Sequence, residues 1–128
     1  MNPILIIFVG GGVGAVARYL TGVLWGRLGG HGTPWAATLF INVLGGLLMG
    51  VLISTLALKG GGDQERWRLL LGVGVLGGFT TFSTFSLEAV MLIQRKAWLT
   101  AAGYVSGSVI LSILGVMAGL YLARKALA

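Results

Sequence analysis

Residues able to do chemistry are few in this chain, and most gather in one run. From Gly72 to Glu88 it reads Gly-Val-Gly-Val-Leu-Gly-Gly-Phe-Thr-Thr-Phe-Ser-Thr-Phe-Ser-Leu-Glu. The hydroxyls of Ser83 and Thr84 each donate a hydrogen bond, as do Ser108 and Ser112 further on, and the Asn42 amide has two N–H donors. Phe82 and Phe85 are spaced i, i+3 and share a helix face. The edge of a phenyl ring is the positive part of its quadrupole, so both rings can point weak donors at an anion. Tyr104, Ser108 and Ser112 recur at i, i+4 and i+8 and draw one polar line. The plain alternatives are hydroxyls bonded to their own backbone and phenylalanines that only fill apolar space. There is no cysteine, and hence no disulfide, thiolate metal site or cysteine nucleophile. His31 stands alone in a glycine-rich loop with no paired acid or nucleophile beside it. It reads as a solvated loop residue, and an enzyme is the least supported class.

The elements that must position these groups are membrane spans. The chain has 128 residues, 56% hydrophobic and 9% charged, against about a quarter charged in a soluble domain. Such a chain cannot cover its surface with polar groups, and its length fits one membrane domain over residues 1–128. Against a hydrocarbon core of about 30 Å, four apolar runs are each near the ~20 residues a spanning helix needs. They cover residues 4–25, 35–58, 67–94 and 98–122. Trp25, Trp35, Trp67 and Trp98 all fall at run ends, where indole rings favour the interface. The N-terminus, Met1-Asn2-Pro3 followed by apolar residues, lacks a basic n-region and reads as the start of a helix, not as a cleaved signal peptide. The net charge of +6 does not imply nucleic acid, because the nine Lys and Arg are scattered at segment ends and form no stripe.

Glycine is the next signal, with 23 residues. Gly10/Gly14, Gly22/Gly26, Gly46/Gly50, Gly74/Gly78, Gly103/Gly107 and Gly115/Gly119 are all spaced i, i+4. Small residues at that spacing let helix backbones approach closely in lipid, where no hydrophobic effect drives association. Close packing is expected within the chain and between chains.

Charge does not fix an orientation. With four spans, Lys59, Arg66, Arg68, Arg124 and Lys125 share one side of the membrane. Arg27, Arg95 and Lys96 share the other, joined by Arg18 if it snorkels that way. Orientation follows the Lys/Arg bias of short loops, and this bias is nearly flat. Dual topology with antiparallel pairing is one reading; a few dominant charges fixing a single orientation is the other.

The third run makes a poor continuous helix. Gly77-Gly78 has low helix propensity, and Thr80-Thr81 can satisfy freed backbone groups. A break near Gly77 to Thr80 is therefore expected, flanked by two half-helices, with carbonyls able to hold a small hard cation. A continuous helix with back-bonded hydroxyls is the alternative.

Here the sequence resembles a known family. Gly77-Gly78-Phe79-Thr80-Thr81-Phe82-Ser83-Thr84-Phe85 is similar to the third-span signature Gly-Gly-x-Thr-Thr-Phe-Ser-Thr-Phe of the Fluc (CrcB) fluoride channels. Thr38-Leu39-Phe40-Ile41-Asn42 resembles the family's second-span Gly-Thr-Leu-x-Val-Asn, with Ala37 for Gly and Ile41 for Val. Gly14-Ala15 and Arg18 resemble its Gly-x-x-Gly-Ala-x-x-Arg. The resemblance implies an all-α, four-span protein that assembles as an antiparallel dual-topology homodimer in the cell membrane. It implies two fluoride pathways per dimer, passive export and fluoride resistance. A central sodium ion would be held by the Gly77 and Thr80 carbonyls of both subunits. Phe82 and Phe85 would line the pore with Asn42 near them, and Tyr104, Ser108 and Ser112 would form a polar track with Ser83 and Thr84 as further donors. Glu88 matches a vestibule glutamate near Thr38, with a structural role or direct fluoride handling both open. Arg18 either supplies positive potential at a pore mouth or snorkels. Such a path suits fluoride, a strongly hydrated ion, because numerous weak donors replace water without trapping it.

The main rival is a four-helix dual-topology multidrug/proton antiporter. That exchange needs an embedded carboxylate in the first span, which here has no Asp or Glu. A non-transporting assembly subunit would explain the glycines and tryptophans, but not Thr80 to Phe85.

Overall fold

The computed structural model describes residues 2–128, and every regular element among them is helical. Helix α1 spans Pro3–Trp25 and α2 spans Pro34–Lys59. The third span opens with α3 (Gln64–Trp67), passes through a wide-turned segment, Arg68–Leu76, and closes its first half with α4 (Gly77–Phe79). Its second half is α5 (Phe82–Gln94), and the last span is α6 (Trp98–Leu127). Four helical stretches are long and apolar enough to cross a membrane.

Local sequence explains the helix ends. Asn2 caps α1, its Oδ1 accepting from Ile4 N at 2.8 Å, and Pro3 takes the first turn, where no N–H is needed. Pro34 does the same for α2. Trp25 ends α1, Trp67 ends α3 and Trp98 begins α6, as their interfacial preference suggests. Helix α6 outruns the expected boundary and ends with Arg124 and Lys125 in its last turn. At 1.5 Å per residue, its 30 residues carry that basic end beyond the hydrocarbon.

Glycine organises the bundle into two tight pairs. Helix α2 packs mainly on α6, and α1 mainly on the wide segment and α4. A Cβ on Gly10 would lie 2.5 Å from the Leu70 carbonyl oxygen, and one on Gly14 would lie 2.8 Å from Phe79 N. A Cβ on Gly46 would lie 2.7 Å from the Ser112 carbonyl oxygen, and one on Gly115 would lie 3.0 Å from that of Val43. These helices touch backbone to backbone, so side chains are excluded from the seams. By contrast, Gly22, Gly103 and Gly107 have open space where a Cβ would be. Of the expected small-residue pairs, Gly10/Gly14, Gly46/Gly50, Gly74/Gly78 and Gly115/Gly119 serve packing inside the chain, and Gly103/Gly107 does not. Gly14→Val should therefore destabilise the protein by about 3 kcal/mol, the upper range for overpacking. Gly103→Ala should leave stability level or slightly higher. Melting of the two purified variants in detergent checks both, and equal melting temperatures would contradict this account of the seams.

In the wide segment, Gly77 N–H reaches back five residues to Gly72 O. Turns of this type are rare and concentrate at functional sites. Gly72 and Gly74 are buried within the segment, and Gly74 sits against Gly10 of α1.

Candidate functional site

The break in the third span lies at Thr80 and Thr81, whose backbones are extended (φ −79°, ψ 157° and φ −152°, ψ 121°). It falls at the C-terminal edge of the stretch expected from sequence, and Gly77 and Gly78 remain helical. One local contact and one tertiary contact hold Thr80 there. Thr80 N and Oγ1 both donate to Leu76 O, at 3.0 and 2.9 Å. A Cβ on Gly45 of α2 would collide with Thr80 Cγ2, so only glycine gives that side chain room.

Asn42 then completes the break. Its Oδ1 accepts from Thr81 N at 2.8 Å, and its Nδ2 donates to Thr81 O at 3.0 Å. One side-chain amide thus takes the Thr81 N–H that has left the helix and adds a second bond to the Thr81 carbonyl, which as the N-cap already opens α5. Thr81 in turn caps α5, its Oγ1 accepting from Thr84 N at 3.1 Å and lying 3.3 Å from Ser83 Oγ. Sequence reasoning gave Asn42 only as a donor near the pore. The clamp occupies one Nδ2 hydrogen and leaves the other free.

Two carbonyls lose their usual partners here. Thr81 N, the ordinary i+4 donor to Gly77 O, goes to Asn42, and Thr84 N, the ordinary donor to Thr80 O, goes to Thr81 Oγ1. Gly77 is exposed on this chain. Neutral carbonyl oxygens of this kind suit a small hard cation such as sodium. Among the described residues there is no His, Cys, Asp and Glu cluster that would hold a metal by side chains.

Beside the break, α2, α5 and α6 enclose a groove of about 420 Å³ whose lining includes Asn42, Thr80, Phe82, Phe85, Ser108 and Ser112. The Phe82 and Phe85 ring centroids are 5.5 Å apart and tilted by 47°. Their settings differ: Phe85 is 8% exposed and packs on Tyr104, whereas Phe82 is 77% exposed. The Ser108 and Ser112 hydroxyls are buried and have no hydrogen-bond partner in the chain. Hydroxyls in apolar helices commonly bond to the carbonyl four residues back, as Ser106 does to Ala102 O at 2.6 Å. Two unpartnered hydroxyls one turn apart are the chemical oddity of this groove, since a buried polar group without a partner is costly.

Other expected site residues lie elsewhere. Tyr104 is 2% exposed in a cluster with Phe85, Ala89, Leu92 and Ala101, and its hydroxyl is 3.2 Å from Glu88 Oε1. The line of Tyr104, Ser108 and Ser112 therefore begins in the core and opens to the groove only at the serines. Ser83 lines neither cavity. Thr84 faces a second cavity of about 650 Å³, with Arg18, Thr38 and Glu88 also in its wall. Glu88 and Thr38 do share a space, although the hydrogen bond of Glu88 goes to Tyr104. Arg18 does more than snorkel, because its Nε donates to Gly78 O at 3.2 Å, which ties α1 to the turn before the break. No spacing rule in the sequence could reveal that bond, which spans sixty positions.

Comparison with known proteins agrees with this architecture. A profile of the family described as "CrcB-like protein, Camphor Resistance (CrcB)" matches residues 5–120. The chain is 52% identical over 125 residues to the "Fluoride-specific ion channel FluC" of Caulobacter sp. (strain K31), covering 98% of this chain and 97% of that one. It is also 52% identical over 128 residues to the protein of that name from Phenylobacterium zucineum (strain HLK1), covering all of both chains. The protein of that name from Rhodospirillum centenum (strain ATCC 51521 / SW) is 50% identical over 128 residues, again with full coverage. A profile match over nearly the whole chain, relatives at half identity and four membrane-crossing helices make this a multi-pass membrane protein of the CrcB-like family.

Proposed function

We propose that this protein is a fluoride-selective channel, and not an enzyme or pump, through which fluoride leaves the cell passively. The observation that carries the reading is the pair of unpartnered buried hydroxyls of Ser108 and Ser112, two residues of the groove wall that Phe82, Phe85 and Asn42 also line. A partially dehydrated anion needs donors in place of water. The two hydroxyls, the free Nδ2 hydrogen of Asn42 and the two ring edges supply them as neutral donors, numerous but individually weak. Similarity to channels named for fluoride supports that choice of anion. An inside-negative potential drives anions outward, so export needs no energy source, and the cell gains resistance to fluoride. The antiporter alternative draws no support from these relatives.

The working unit is an antiparallel homodimer inserted in both orientations, with two pathways. In its favour are the nearly balanced loop charges and the exposed Phe82, which a single chain leaves uncovered. The Gly77 and Thr80 carbonyls, freed of their helical donors, would hold a sodium ion between the two subunits. Bound there, sodium would supply fixed positive charge at the break.

Fluoride efflux from liposomes containing the purified protein tests the reading, with chloride-loaded liposomes alongside. Rapid fluoride loss without chloride loss is expected, and Ser108→Ala with Ser112→Ala should slow it about tenfold, near 1.4 kcal/mol. No fluoride loss from a well-folded dimer would remove the channel function. An unchanged rate in the double variant would take the serines out of the path.

A further inference from the structure

The loop joining α1 to α2 is more ordered than its glycines suggest. Trp25 Nε1 donates to Thr33 O at 3.0 Å, and Thr33 N donates to Gly30 O at 3.0 Å. Gly30 lies directly under the indole, where a Cβ would collide, and Gly29 holds φ 98°, open to glycine at no steric cost. This folding places His31 in a defined seat. A Cβ on Gly26 would lie 3.2 Å from His31 Cε1 and 3.4 Å from Nδ1, so the bare backbone of Gly26 forms the floor under the imidazole. Sequence alone gave this histidine no role.

The seat lies in the wall of the second cavity. His31 and Arg27 stand in the loop, Arg18 and Tyr19 come from α1, and Glu88 and Thr84 come from α5. Thr81 of the break is part of the same wall, so the cavity reaches from the loop to the start of the anion groove. Its formal charge is set by Arg18 and Arg27 against Glu88, a net of one positive. A protonated His31 would make it two. Imidazoles as a class change charge between about pH 5 and 8, where arginine and tyrosine do not. A cavity walled by low-dielectric helices focuses such a charge and raises the local concentration of anions.

We propose that His31 is a pH-responsive element of an anion-gathering entrance: protonated, it joins Arg27 and Arg18 to draw small anions toward the break, and acidification thereby speeds capture. The proposal rests on the channel reading above and adds to it a residue outside the groove. It links acid stress to the rate at which a small anion enters the path.

The test is fluoride efflux from liposomes at unsaturating fluoride, with the same pH on both faces. Leak from protein-free liposomes, which carries the undissociated acid, is subtracted at each pH. The rate should rise about three- to tenfold between about pH 8 and about pH 5.5. The rise should shrink when ionic strength goes from about 0.1 to about 1 M, since screening shortens from about 10 to about 3 Å. In His31→Gln, which keeps a side chain of similar size on Gly26, the ratio of the two rates should fall close to one. A flat profile in the unaltered protein overturns the proposal while leaving the channel reading intact. A rise that persists in His31→Gln also overturns it. Absence of protein-dependent flux at both pH values removes the channel reading itself, and the entrance with it.

Discussion

Replacing Phe82 with isoleucine should cut fluoride flux by up to about tenfold while leaving the chain folded. Aromatic edge contacts are worth about 0.5–1.5 kcal/mol beyond simple burial, and a branched aliphatic side chain offers an anion no such edge. Phe82 is the better of the two rings to test because it is 77% exposed. Its loss costs the core of the protomer little. Phe85 is 8% exposed and packs on Tyr104 at a centroid distance of 5.2 Å. Phe85→Ile would therefore disturb packing and permeation together. Efflux from liposomes, paired with size-exclusion profiles to confirm unchanged assembly, gives the result. Full flux from an intact assembly would make Phe82 a lipid or subunit contact only.

A second large effect is expected at Asn42, where structural and conductive roles separate by choice of substitution. Asn42→Ala removes both bonds to Thr81 and leaves its backbone N–H without a partner. An orphaned buried group costs about 1–3 kcal/mol. The expected outcome is a large fall in melting temperature and no measurable flux. Asn42→Asp keeps the acceptor for Thr81 N but loses the donor to Thr81 O, and it sets a carboxylate beside the groove. Its stability should fall by roughly half as much, yet flux should still be abolished, because the new charge repels the anion. Melting curves and efflux on both variants check the separation. An aspartate variant that conducts normally would show that Asn42 serves the fold of the break and has no part in the pathway.

Much of this protein was legible in one dimension. Apolar run length, bounded by tryptophan, gave four helices because a bilayer demands about 20 apolar residues per crossing. The ends of α1, α2 and α5 agree closely with those runs. The run Gly77 to Phe85 announced a break, since glycine pairs and adjacent threonines are poor material for a continuous helix. Glycine spacing likewise foretold tight seams. It could not say which pairs lie inside the chain, because every i, i+4 pair looks alike until a neighbouring backbone arrives. Gly14 meets Phe79 N, and Gly103 meets nothing.

Only the tertiary structure decided where the break falls and what holds it. Thr81 leaves the helix because Asn42, from another span, takes its N–H and also donates to its carbonyl, and Arg18 secures the Gly78 carbonyl from a third. Those partners are far apart in sequence, so no local propensity encodes them. The same holds for Tyr104, which looked like the head of a polar track and is instead a core residue bonded to Glu88. It also holds for His31, a lone loop residue in sequence and part of a charged cavity wall in space. Sequence determined which groups can donate, how long each helix runs and where it is weak, because those properties belong to single residues and their near neighbours. Structure decided which donors are already used and which, like Ser108 and Ser112, are left over, because hydrogen-bond satisfaction depends on everything within reach.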